Sequence, residues 1–152
     1  MTMSNTQSRA GFTLIDMIVT ITVMSIVMAM AVPSLVNLSN MVPGDTANRT
    51  VAISNTGNVG FTYTASISAV ANTLLWSDTT NGIQVTVHRG ATQLYAGPLK
   101  NLALAASTVT AGGTDTLTFD FSLPTSADNT FQTLTQDFTI TYTATQLAGA
   151  AR

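Results

Sequence analysis

The sequence predicts an α+β protein in which a long N-terminal apolar α-helix is followed by an antiparallel β-sandwich domain. Three observations carry that expectation. Phe12 to Val32 is an apolar run interrupted only by Thr13, Asp16, Thr20, Thr22 and Ser25. After it, apolar and polar residues alternate with the period of two that half-buried strands require. Turn signals separate the alternating runs: Pro43-Gly44-Asp45, Asn55-Thr56-Gly57-Asn58, Gly90 and Thr110-Ala111-Gly112-Gly113. The expected organisation is a polar leader at 1–11, an apolar transmembrane or assembly helix at 12–40, and a sandwich at 41–152.

Composition excludes several functions. The chain of 152 residues is 45% hydrophobic and only 8% charged, with net charge −2. Nothing in it could neutralise a run of phosphates, so no nucleic-acid partner is expected. There is no cysteine, which rules out disulfides and thiolate metal sites. One histidine, His88, and no glutamate leave little material for catalysis. No cofactor is expected.

The apolar run, at about 1.5 Å per residue, spans about 30 Å, the thickness of a hydrocarbon core. Thr and Ser return their hydroxyls to the helix backbone and do not spoil insertion. Asp16 is different, because a carboxylate at the centre of a membrane helix costs about 3 kcal/mol and needs a partner or a place near the interface. One reading puts it at headgroup depth, where it caps the helix start and suits the macrodipole. The other gives it a charged partner. Arg9 is the only charge before the run, a weak positive-inside signal. The small residues Ala10 and Gly11 precede the apolar stretch rather than follow it, so cleavage there would leave the apolar segment on the mature protein, unlike a secretory signal peptide. Pro33 ends or bends the expected helix, and Leu35, Val36, Leu38 and Met41 could prolong its stripe.

Gly11-Phe12-Thr13-Leu14-Ile15, then an acid at position 16, a polar leader before it, an apolar helix after it and Pro33, resembles the type IV pilins and pseudopilins with their class III prepilin signal. The resemblance implies cleavage by a prepilin peptidase between Gly11 and Phe12 and N-methylation of Phe12. It also implies that Asp16, where the family usually has Glu, pairs with the Phe12 amino group of a neighbouring subunit during assembly. Pro33 would be the helix break. The implied product is a homo-oligomeric helical filament built by pilus assembly machinery. Its precursor would wait in the cytoplasmic membrane before the subunit joins a filament on the cell surface.

Within the second part, Val51 and Ile53 share one face of a strand over Arg49 to Ser54. Phe61, Tyr63, Ala65 and Ile67 share the face of the next, and Ile83, Val85 and Val87 that of a third. Gln93 to Ala96 returns as a short strand, whereas the Ala-rich stretch Leu99 to Ala106 has no firm assignment. Leu117, Phe119, Phe121 and Leu123 form another apolar face, as do Phe138, Ile140, Tyr142 and Ala144 in the last strand. Several such strands argue for a sandwich.

Val42-Pro43-Gly44-Asp45, Asn55-Thr56-Gly57, Leu123-Pro124, Ala127, Asn129, Gln132 and the closing Ala144-Thr145-Gln146 resemble the TasA/camelysin group of secreted β-sandwich proteins. Some of that group build extracellular fibres. Proteolysis has been described in it, but this chain has no HExxH or comparable zinc motif, so that activity is not carried over.

Other chemistry weighs less. His88 falls on the polar face of its strand without a nucleophile elbow, which fits an exposed structural histidine. Asp115, Asp120 and Asp128 lack the dense spacing of a calcium loop. Asn37-Leu38-Ser39 and Asn48-Arg49-Thr50 match the N-glycosylation pattern, making Asn37 and Asn48 candidate acceptors. Trp76 either plugs the core or forms a surface contact.

The expected function is a structural, non-enzymatic subunit of the major-pilin kind. An archaellum-like subunit, a minor pilin or a pseudopilin are the near alternatives. A membrane-anchored adhesion or binding sandwich is the alternative from another class.

Overall fold

The computed structural model describes residues 30–149. The leader, Gly11, Phe12, Asp16 and most of the expected helix lie outside that range. Among the described residues eight strands make two four-stranded antiparallel sheets. The first sheet has the order β1-β8-β3-β6, with β1 Met30–Ser39, β8 Thr135–Gln146, β3 Phe61–Ala69 and β6 Ala103–Val109. The second has the order β2-β7-β4-β5, with β2 Thr46–Ser54, β7 Thr114–Ser122, β4 Gln84–Arg89 and β5 Thr92–Pro98. A single-turn helix, α1 (Leu74–Ser77), and two 3-10 turns at Leu99–Asn101 and Asn129–Phe131 close the ends.

The alternating faces meet between the sheets. Tyr63, Ala65, Leu104, Val109, Phe138, Ile140 and Tyr142 of the first sheet pack with Val85, Val87, Leu117, Phe119 and Phe121 of the second. Phe119 stacks with Phe121, and Phe121 meets Phe138 across the sandwich with ring centroids 5.4 Å apart. Leu75 of α1 is buried at one end, and its neighbour Trp76 packs partly buried against the core. Two buried polar side chains tie loops down. Gln136 donates to the Ala71 and Asp137 carbonyls and accepts from Thr73, whereas Asn55 donates to the Val59 carbonyl and accepts from the Gly57 amide. Gly90 turns the β4–β5 hairpin at φ +55°, and Gly112 turns the connection from β6 in the first sheet to β7 in the second at φ +69°, both where a β-carbon is disfavoured.

The sequence expectation fails over 30–39, where a helix was expected and β1 is found. Ten consecutive residues pair with β8, from Met30 opposite Ala144 to Ser39 opposite Thr135. Val36 and Leu38 are buried while Leu35, Asn37 and Ser39 are exposed, a period of two. The run is short and rich in apolar residues, so its pattern fits either period. The open edge of β8 decides it by offering partners for the peptide groups of 30–39 that face it. Pro33 therefore lies inside an edge strand, opposite Thr141, rather than at a helix end. An edge strand tolerates proline because half of its N–H groups have no ladder partner. The unassigned stretch 99–106 divides into the 3-10 turn and most of β6.

The four sheet edges differ. β6 and β5 border one side, and each carries a bulge: Ala105 and Ala106 oppose Thr64, and Leu94 is the extra residue of β5. On the other side β1 and β2 pair with their neighbours over ten and nine residues without a break.

Candidate functional site: the N-terminal motif and the strand it enters

β1 is where the N-terminal segment reaches the sandwich. It runs along the open edge of the first sheet, its start beside the C-terminal end of β8. The inward side chains Val36 and Leu38 anchor it in the core, as does Met41 just beyond it. The following turn is tightly closed. The Val42 amide donates to the Asp45 carboxylate at 2.9 Å, and Gly44 and Asp45 exchange backbone bonds with Leu123.

The charged side chains within the sandwich serve the fold. Arg89 of β4 donates through Nε to Asp115 of β7 at 2.8 Å, and through its terminal nitrogen to Ser107 of β6 and to the Tyr63 hydroxyl of β3. Tyr63 donates to the other Asp115 oxygen at 2.5 Å. Four strands and both sheets meet in this cluster. Burial, and then the hydrogen bond to Asp115, push the Tyr63 hydroxyl above its ordinary pKa. The bond to Tyr63 raises Arg89 further, and partial burial opposes it. The sequence carries a signal of this cluster. Arg89 continues the apolar face of Val85 and Val87, and Asp115 that of Leu117 and Phe119, so two opposite charges stood on inward faces.

Asp115, whose spacing from Asp120 and Asp128 does not suit a calcium loop, is an inward, ion-paired group. Asp128 accepts from the Thr130 amide and hydroxyl, and the hydroxyl bond is the larger cause that holds it below the usual carboxylate range. Asp120 accepts from Asn48 of β2 at 2.6 Å, and Asp137 accepts from Asn37 of β1 at 2.5 Å. Both sequon asparagines are exposed, on the two unbulged edge strands. His88 stands opposite Thr118 and Gln93 on the outer face of the second sheet. Among the described residues no three His, Cys, Asp or Glu side chains gather as a metal site, and no helix is long and apolar enough to cross a membrane.

The family model of the prokaryotic N-terminal methylation motif matches residues 6–32. No curated protein matches this chain. The N-terminus therefore carries a prepilin-type signal, and Gly11, Phe12 and Asp16 fall within it. The matched segment overlaps the first three residues of β1. Motif and sandwich are contiguous in the chain.

Proposed function

We propose that this chain is a prepilin-type structural subunit of an extracellular filament of the type IV pilus family. The observation that carries the reading is the methylation motif at 6–32, joined without a linker to a sandwich that has its own core. In this reading a prepilin peptidase cuts between Gly11 and Phe12, and the Phe12 amine is methylated. Arg9 stays on the cytoplasmic side and the sandwich lies outside.

Assembly exchanges lipid contacts of the apolar segment for contacts with neighbouring segments, so the same surface stays buried. Asp16 supplies the charge that pairs with a neighbour's Phe12 ammonium. A lone carboxylate in that core would be costly, and its opposite charge offsets the cost only in the correct register. Enzymatic chemistry has no part in this reading, and β1 transmits load from the filament core to the sandwich.

Archaellum-like subunits, minor pilins and pseudopilins would share this processing. Abundance in surface filaments, and loss of twitching or of swimming on deletion, separate them. The test is Asp16→Ala in the full chain: filaments are lost from the surface fraction while the precursor remains in the membrane. Normal filaments from this variant would overturn the reading and favour a membrane-anchored adhesion module.

A further inference from the structure

We propose that the end of the sandwich where β1 begins is a membrane-contact surface, resting on phospholipid headgroups while the apolar segment holds the precursor in the bilayer. The inference rests on the membrane-held stage of the function proposed above. β1 starts at Met30, inside the matched motif at 6–32, so no linker separates that segment from the sandwich. The loops at this end are therefore brought to the membrane surface.

Four loops form the end: 55–60 between β2 and β3, 90–91 in the β4–β5 hairpin, 110–113 between β6 and β7, and 147–149 after β8. Hydrogen bonds tie them together. The Asn55 amide donates to the Gly113 carbonyl at 2.8 Å, and the Leu147 amide donates to the Gly60 carbonyl at 2.9 Å. Leu147 is exposed here.

Charge distinguishes the two ends. None of the four loops contains a charged residue. Arg89 and Asp115, which lie just behind them, neutralise each other as an ion pair. The other aspartates among the described residues, Asp45, Asp78, Asp120, Asp128 and Asp137, all lie toward the opposite end. On the strands, Asp120 stands opposite Asn48 and Asp137 opposite Asn37. At about 3.3 Å per residue, both are about 20 Å or more from the end where β1 begins. Repulsion between a carboxylate and anionic headgroups fades within about 8–10 Å at physiological ionic strength. The end that meets the headgroups thus has no carboxylate to repel them, and the exposed carboxylates stand out of range.

The exposed apolar side chains of the far end do not offer a rival surface. Val42 is hydrogen-bonded to Asp45, Val70 to Asp137 and Leu74 to Asp78, so each lies beside a carboxylate. At the near end, small polar turns keep their outward peptide groups hydrated at headgroup depth, and Leu147 adds apolar contact.

The chain has no cysteine, so single engineered thiols can carry a fluorophore. The uncleaved full chain is placed in vesicles of phosphatidylcholine and phosphatidylglycerol containing a lipid spin-labelled at its headgroup. Thr56→Cys, Ala111→Cys and Ala148→Cys report the near end, and Thr80→Cys and Asn129→Cys the far end, all at exposed positions. Fluorescence is expected to be quenched at the first three and unchanged at the last two. Adding Asn58→Asp and Ala91→Asp to Ala148→Cys should remove most of the quenching in these vesicles and leave it in vesicles of phosphatidylcholine alone. An inserted chain quenched equally at both ends, quenched only at the far end, quenched at neither, or indifferent to the added carboxylates overturns the proposal. A chain that alkaline carbonate strips from the vesicles overturns the membrane-held stage itself.

Discussion

Tyr63 and Asp115 face each other across the sandwich, the phenol of β3 donating to the carboxylate of β7 at 2.5 Å while Arg89 holds the other carboxylate oxygen. Asp115 is 11% exposed and Arg89 38%. The ion pair itself is therefore partly screened, and the larger cost of breaking the cluster is the buried groups it would strand. Tyr63→Phe and Arg89→Met should each lower unfolding free energy by about 1–2 kcal/mol, measured by urea denaturation. In the double variant the losses should fall short of additive, because the two residues share Asp115.

The neighbouring tyrosine behaves in the opposite way. Tyr142 is buried, and its hydroxyl has no hydrogen-bond partner among the described residues. Tyr142→Phe should be neutral or slightly stabilising, because it removes a desolvated group and leaves no partner stranded. A clear loss of stability would mean that the hydroxyl has a partner.

The same residue contributes to the alkaline limit. Burial, helped by the charge of Tyr63, pushes Tyr142 up to about 12. Between the ordinary tyrosine pKa of about 10 and that value, the unfolded chain has released a proton that the folded chain still holds, so stability falls with rising pH. Below about pH 10 both states are protonated and Tyr142 contributes no slope. Thermal unfolding followed from pH 9 to 12 should show this decline, and Tyr142→Phe should make it shallower, the remainder coming from Tyr63 and Tyr95, which burial also raises.

β1 gives a direct test of strand against helix. Leu38 is 4% exposed and Leu35 is 69% exposed. Leu38→Ala should cost about 2–4 kcal/mol, whereas Leu35→Ala should stay within about 0.5 kcal/mol. Similar losses at both positions would contradict the alternation.

Gly82 is held by packing. A β-carbon there would lie 2.2 Å from the Asp78 carbonyl and 2.7 Å from that of Leu75, both backbone atoms that cannot swing away. Gly82→Ala should destabilise by more than about 1 kcal/mol, by opening the turn that leads from α1 into β4.

Much of the sandwich was legible in the sequence, because Val85/Val87, Leu117/Phe119/Phe121 and Phe138/Ile140/Tyr142 alternate cleanly, Gly90 marks the β4–β5 hairpin and Gly112 the turn from one sheet to the other. Residues 30–39 were not. Val36 and Leu38 fit a helical stripe as well as a strand, and the deciding factor, the open edge of β8 about 100 residues later, has no local trace. Ala103 to Ala106 lacked β-branched residues and took strand form through pairing with β3. The prepilin-type signal was readable because its residues lie adjacent in sequence. The Tyr63–Arg89–Asp115 cluster comes from three strands, and only the charges on apolar faces hinted at it.

The central claim is that the chain is processed at its N-terminal motif and then assembled. Mass spectrometry of the N-terminal peptide from purified surface filaments tests it most directly. The expected N-terminus is Phe12 carrying one added methyl group. An intact leader running through Gly11 in assembled material would contradict it.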